Sequence, residues 1–140
     1  MNTLKSLLVS VFVINVTVSF GQHNDALAKL NQAFGNERVN YLKTHFPDSL
    51  NYYLFVVENG YQITDKKYLK PEDLNKAIPI TLPDNCFNNE TIKTDQINIF
   101  DLPVSFHPTN KNVYLIEGTN YALIVRSKDY LLKKFQAKPK

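Results

Sequence analysis

Tryptophan is absent, cysteine and methionine occur once each, and glycine occurs four times in 140 residues. With Cys86 as the sole thiol the chain cannot close a disulfide on itself, so its stability has to come from a packed core. Four glycines leave little material for a phosphate cradle, and no GxSxG, GxGxxG or P-loop pattern is present. The three histidines, His23, His45 and His107, form no HxH, HxxxH or HExxH. No catalytic set, metal site or cofactor is therefore expected. The longest apolar run, Leu7 to Phe20, is broken by Ser10, Asn15, Thr17 and Ser19 and falls short of the roughly 20 residues a membrane span needs.

That run follows a start with one cation, Lys5, and ends Ser19-Phe20-Gly21, with small residues at the −3 and −1 positions of a signal-peptidase site. The expectation is a secretory signal at residues 1–21, cleaved before Gln22, and one small domain over residues 22–140. No cysteine follows the run to carry a lipid. Of the 16 Lys and Arg only Lys5 would be lost, leaving 15 cations against 13 acids, or +2. So small an excess is no warrant for nucleic-acid binding. The leader ending Ser19-Phe20-Gly21-Gln22, with abundant Asn, Lys, Ile and Tyr and few Arg and Gly, resembles small exported proteins of the Bacteroidetes phylum. The resemblance covers leader and composition and implies no activity. Together they imply a periplasmic, outer-membrane-associated or secreted protein, with no stable transmembrane segment after cleavage.

Residues 51–64, NYYLFVVENGYQIT, carry the strongest local signal. Tyr52 to Glu58 is rich in β-formers, Asn59-Gly60 suits a type I′ turn, and Tyr61 to Thr64 reads as a return strand. On that reading Leu54, Val56 and Ile63 share one face, while Tyr53, Phe55 and Val57 share the other.

Before it, two short helices are expected, or a single helix that bends at Gly35. Asn24 caps the first, with Leu27, Leu30 and Phe34 on one face and Gly35 as its stop; Asn36 caps the second, with Val39, Leu42 and Phe46 in line until Pro47 ends it. After it, Pro71 to Ala77 has proline at a natural first helical position and two acids behind it. A short strand is expected near Ile80 to Leu82, an irregular loop through Asn89, and an edge strand in Gln96 to Phe106 carrying Pro103. Asn112 to Glu117, Gly118-Thr119 and Asn120 to Val125 read as a second hairpin that can set Tyr114 opposite Tyr121. Ser127 then caps a helix over Lys128 to Gln136. The whole reads as α+β: two N-terminal helices packed on a mainly antiparallel sheet of four to six strands, with a short C-terminal helix.

Eight Tyr and nine Phe are the notable surplus. Tyrosine is rigid and amphipathic, so an exposed strip suits contact with protein or glycan, whereas rings that merely edge a sheet do not bind. Tyr53, Phe55 and Val57 are the candidate interaction surface. Lys66-Lys67 and Lys133-Lys134-Lys138-Lys140 could meet anionic lipid or polysaccharide, or simply be solvated. Cys86 is the candidate free thiol: buried and inert, paired between chains, or reactive. Drawn with His107 it would make a thiol nucleophile and base, but only if the fold brought them together. The reading is a non-catalytic exported protein that binds another envelope protein through a sheet edge or aromatic face. A small apolar-ligand carrier is the alternative, and a small hydrolase or thiol enzyme the third possibility.

Overall fold

The computed structural model describes residues 25–89 and 91–139. The expected leader, His23 and the expected cap Asn24 lie outside those residues. Helix α1 covers residues 25–34. Gly35 ends it with φ +85°, where a Cβ is strained, and gives its N–H to Asn31 O at 2.9 Å. Helix α2 is Asn36–His45, with Gly35 rather than Asn36 in the cap position.

Pro47 ends α2 as expected but also opens helix α3, Pro47–Asn59. Both roles follow from one ring: the preceding Phe46 is pushed out of the α region, and Pro47 has φ pre-set for a first helical turn. The expected strand Tyr52 to Glu58 is thus helix, which corrects the hairpin reading of residues 51–64. Leu50, Leu54 and Val57 recur at i, i+4 and i+7 and bury against Ala26, Leu30 and Val39. Phe55 and Val56 bury on another side with Leu131. A helix buried on two sides has an almost continuous apolar run, and such a run carries no helical period to read.

Asn59-Gly60 closes this helix instead of turning a hairpin. Gly60 has φ −70° and ψ −16°, ordinary helical values. What it needs is space, because a Cβ there would stand 2.5 Å from Val56 O and 3.4 Å from the Phe106 ring. Asn59 Nδ2 donates to Phe55 O at 3.0 Å, satisfying a last-turn carbonyl.

The strand that follows, β1 (Tyr61–Asp65), pairs antiparallel with a strand sixty residues away in sequence. Helix α4 (Pro71–Lys76) forms as its proline and acids predict, and β2 (Ile78–Ile80) follows it. Where a loop is expected, β3 (Phe87–Asn88) and β4 (Thr91–Ile92) make a small ribbon. The expected strand over Gln96 to Phe106 is absent; 3-10 turns occupy Thr94–Gln96 and Ile99–Asp101 instead. Ile97 and Ile99 are fully buried all the same, so their alternation reflects burial rather than a ladder.

The second hairpin forms, β5 (Asn112–Ile116) to β6 (Tyr121–Val125), with Gly118 at φ +74°. Its register sets Tyr114 opposite Leu123, not opposite Tyr121. Ser127 Oγ accepts from Tyr130 N at 3.2 Å and caps helix α5, Lys128–Gln136. The main sheet runs β1-β6-β5-β2, with β2 parallel to β5 and the other two pairings antiparallel. The chain is α+β, with five helices, a four-stranded sheet and a two-stranded ribbon among the described residues.

Three apolar clusters result. One lies on the sheet under Ile97 and Ile99, one joins α1, α2 and α3, and one joins α3 to α5. Phe100 packs against all three. Among the described residues no helix is long and apolar enough to cross a membrane.

Gly60 separates the helix end from a hairpin turn experimentally. A type I′ corner tolerates asparagine, whereas the contact with Val56 O rejects any Cβ. Gly60→Ala and Gly60→Asn are therefore expected to destabilise alike, by roughly 1–3 kcal/mol in denaturant unfolding; an Asn variant as stable as the parent would contradict this geometry.

Candidate functional site

Helical geometry disperses the residues that a strand would have aligned. Residues two apart share a face in a strand but stand about 200° apart on a helix. Tyr53 packs edge-on to Phe34 at 5.3 Å and to Phe100 at 6.1 Å. Phe55 is buried toward α5, with Phe135 at 5.5 Å, and Val57 is buried in the helical cluster. Val57 and the half-buried Tyr53 therefore pack in the helical cluster and Phe55 in the one facing α5, so the three form no common exposed surface.

Cys86 is buried at 2% exposure, and its Sγ donates to Gln96 O at 3.6 Å. Burial pushes the thiol up from its ordinary value, with Lys29 only partly opposing. His107 has other work: its Nδ1 accepts from Thr109 N at 3.1 Å and from Asn110 N at 3.0 Å, holding the turn after Pro108. It is not among the residues lining the cleft beside Cys86. His45 stacks on Tyr41 at 4.3 Å at the exposed end of α2. Among the described residues no three His, Cys, Asp or Glu stand close enough to hold a metal ion together.

A groove of about 610 Å³ lies between the first turn of α1, the end of α3 and the 3-10 turn at Thr94–Gln96. Its walls carry Asp25, Lys29, Glu58, Asp95 and Lys138, so it is polar and charged. Lys29 Nζ pairs with Asp25 at 3.0 Å. Asn98 ties the same region together, giving one amide hydrogen to Lys29 O at 2.9 Å and the other to Asp101 at 3.0 Å. Tyr61 closes one side: its hydroxyl donates to Thr94 O at 3.0 Å. Burial, with the charges of Asp25, Cys86 and Asp95 adding to it, pushes the Tyr61 phenol up to about 12.

Tyr61 also begins an edge strand whose free side can be read from its hydrogen bonds. Arg126 N donates to Gly60 O at 2.9 Å and Lys66 N to Asn120 O at 2.8 Å, closing the β1–β6 ladder at both ends. Antiparallel partners alternate, so Gln62 and Thr64 bond to β6 while Tyr61, Ile63 and Asp65 turn N–H and C=O away from it. At the opposite edge Ile80 O accepts from Glu117 N, which puts Pro79 in the outward position of β2. Proline has no N–H to offer there. One edge is thus blocked, and on the other the five-residue strand β1 offers the donors and acceptors of Tyr61, Ile63 and Asp65. The polarity of Tyr61 to Thr64 places that strand nearer a sheet edge, as β1 is, but its partner is β6 rather than the preceding residues, and the proline at the blocked edge is Pro79 rather than Pro103.

Two measurements check this environment. A thiol buried and held neutral reacts slowly, so native Cys86 is expected to take up iodoacetamide at least about a hundredfold more slowly than in denaturant. Rapid native labelling would mean an accessible thiolate. For Tyr61 the native phenol keeps its proton to about 12 while the unfolded one loses it near 10. The unfolded state then binds fewer protons, so stability falls as pH rises from about 10 to about 12, and below about 10 the contribution is fully present. Tyr61→Phe is expected to flatten that part of the stability–pH curve; an unchanged slope would assign it elsewhere.

Comparison of the chain with protein-family models, with curated proteins and with solved structures finds no match.

Proposed function

We propose that the protein is a non-catalytic exported accessory module that binds another envelope protein by accepting a strand at β1. It would act in the periplasm, at the outer membrane or outside the cell, which rests on the leader-like residues 1–21 of the sequence. The observation that carries the binding reading is the unequal treatment of the two sheet edges. Open edges are a hazard that folds usually blunt, and here Pro79 blunts one while β1 keeps Tyr61, Ile63 and Asp65 turned outward. Strand addition uses such a row, with main-chain bonds for affinity and alternate side chains for selectivity. In this reading the N-terminal helices are packed on the sheet as its rigid backing, joined through Phe100. The apolar-ligand alternative gains nothing from the 610 Å³ groove, whose walls carry Asp25, Lys29, Glu58, Asp95 and Lys138. A thiol enzyme gains nothing from a Cys86 that is buried and held neutral.

Asp65 offers a clean test, because its φ of −68° already suits proline and its N–H points outward. Asp65→Pro removes that donor, and Asp65→Ala keeps it while losing the same side-chain bond to Lys67 N. In a crosslinking pull-down from envelope and medium fractions of the native cells, the parent and the Ala variant are expected to capture one stoichiometric partner, crosslinked at residues 61–65. The Pro variant should bind it about tenfold more weakly, the cost of one unpaired buried carbonyl on the partner. Capture unaffected by Asp65→Pro, or no partner at all, would sink the proposal.

A further inference from the structure

The last stretch of the chain is electrically unlike the rest. Arg126 to Lys140 carries six cations and one acid, Asp129, whereas the residues before it carry ten cations and twelve acids. The fold gathers part of that excess into one cleft of about 390 Å³ between the end of α3, the end of β6 and α5. The Arg126 guanidinium stands 4.9 Å from the centre of the Tyr130 ring, and Lys134 Nζ stands 5.7 Å from the same ring. Lys138 Nζ lies 4.8 Å from the Phe55 ring, which also lines the cleft. The ion pairs among the described residues are Lys29 with Asp25, Lys67 with Asp65 and Lys111 with Asp73, and none involves these three cations.

Two cations thus share one aromatic ring, within about a Debye length of each other, with no carboxylate bridging them. Arg126 is also held in place. Its N–H on the backbone bonds to Gly60 O, and one guanidinium nitrogen donates to Gln62 Oε1 at 3.3 Å. That leaves most of its five donors unspent. Lys134 is fixed one helical turn beyond Tyr130. Opposite them, Glu58 and Asn59 line the cleft from the end of α3.

We propose that this cleft binds a phosphate ester that carries a neighbouring hydroxyl group. The phosphate would take the fork of Arg126 and the point charge of Lys134, relieving their mutual repulsion, and Tyr130 would give it a flat wall. Glu58 and Asn59 would accept from the hydroxyl, and the Glu58 charge disfavours a bare polyanion. The same phosphoglycerol chemistry occurs on a soluble metabolite and on a lipid headgroup. The proposal does not rest on strand addition at β1, although Tyr61 borders both the cleft and that edge.

The test uses glycerol 3-phosphate and, separately, vesicles of phosphatidylglycerol in phosphatidylcholine against vesicles of phosphatidylcholine alone, all at constant ionic strength. Calorimetry or vesicle sedimentation is expected to show binding that weakens about tenfold or more in Arg126→Gln and in Lys134→Gln. Lys70→Gln, an exposed lysine on the approach to α4, should bind like the parent, and circular dichroism should show all three variants folded. Lys134→Gln sits on an exposed helix face and keeps the test decisive if Arg126→Gln unfolds. Binding of the soluble ester identifies a metabolite site, and binding of the vesicles alone identifies a headgroup site. The proposal is overturned if neither binds, or if binding survives both substitutions.

Discussion

Phe100 stands where the three apolar clusters meet, and the arrangement of the described fold depends on that contact. Its ring lies 5.2 Å from Phe34 of α1, 6.1 Å from Tyr53 of α3 and 6.1 Å from Phe106. A single aromatic side chain therefore links the helices to the segment that covers the sheet. Rings offset or tilted at these distances add a directional attraction to the area they bury. The 3-10 turn at Ile99–Asp101 positions it, with Asn98 anchoring that turn to Lys29 O and Ile97 and Ile99 inserted beneath. A regular strand through this segment would send alternate residues to opposite faces, and could not bring Ile97, Ile99 and Phe100 into neighbouring contacts of one core.

Helix α3 shows what such central packing does to a sequence. With Leu54 and Val57 facing α1 and α2, and Phe55 and Val56 facing α5, the helix has little polar surface in its second half. Its β-branched and aromatic residues cost some intrinsic helix propensity, of order a few tenths of a kcal/mol each. Burial returns far more, about 1.5–3 kcal/mol per large apolar side chain. The local preference for strand is therefore overruled by contacts with residues distant in sequence. Once Tyr52 to Glu58 is helical, β1 is released from its neighbour and pairs with β6, leaving its other side open.

Both functional readings grow from that exchange of partners. The open edge exists because β1 pairs with β6 alone, at the end of the sheet order. The cationic cleft exists because the end of α3 arrives beside Arg126 and the Tyr130 flank of α5. Tyr61 belongs to both neighbourhoods: it starts the edge strand, lines the cleft, and holds the 3-10 turn at Thr94–Gln96 through its hydroxyl.

What the sequence by itself determined are the features decided by nearest neighbours. Gly35 stops a helix, Pro71 starts one, Gly118 turns the second hairpin and Ser127 caps α5, each through chemistry that acts within a few residues. The α+β class and a mainly antiparallel sheet followed from those signals, and the basic C-terminal end was visible as composition. Only the tertiary structure decided the state of residues 52–59, the pairing of the edge strand β1 with β6, the burial of Phe55 and Val57, and the convergence of Arg126 and Lys134 on one ring. Asn59-Gly60 marks the divide. The pair announced a special backbone position, but whether Gly60 supplied a positive φ or room for Val56 and Phe106 depended on what packed against it.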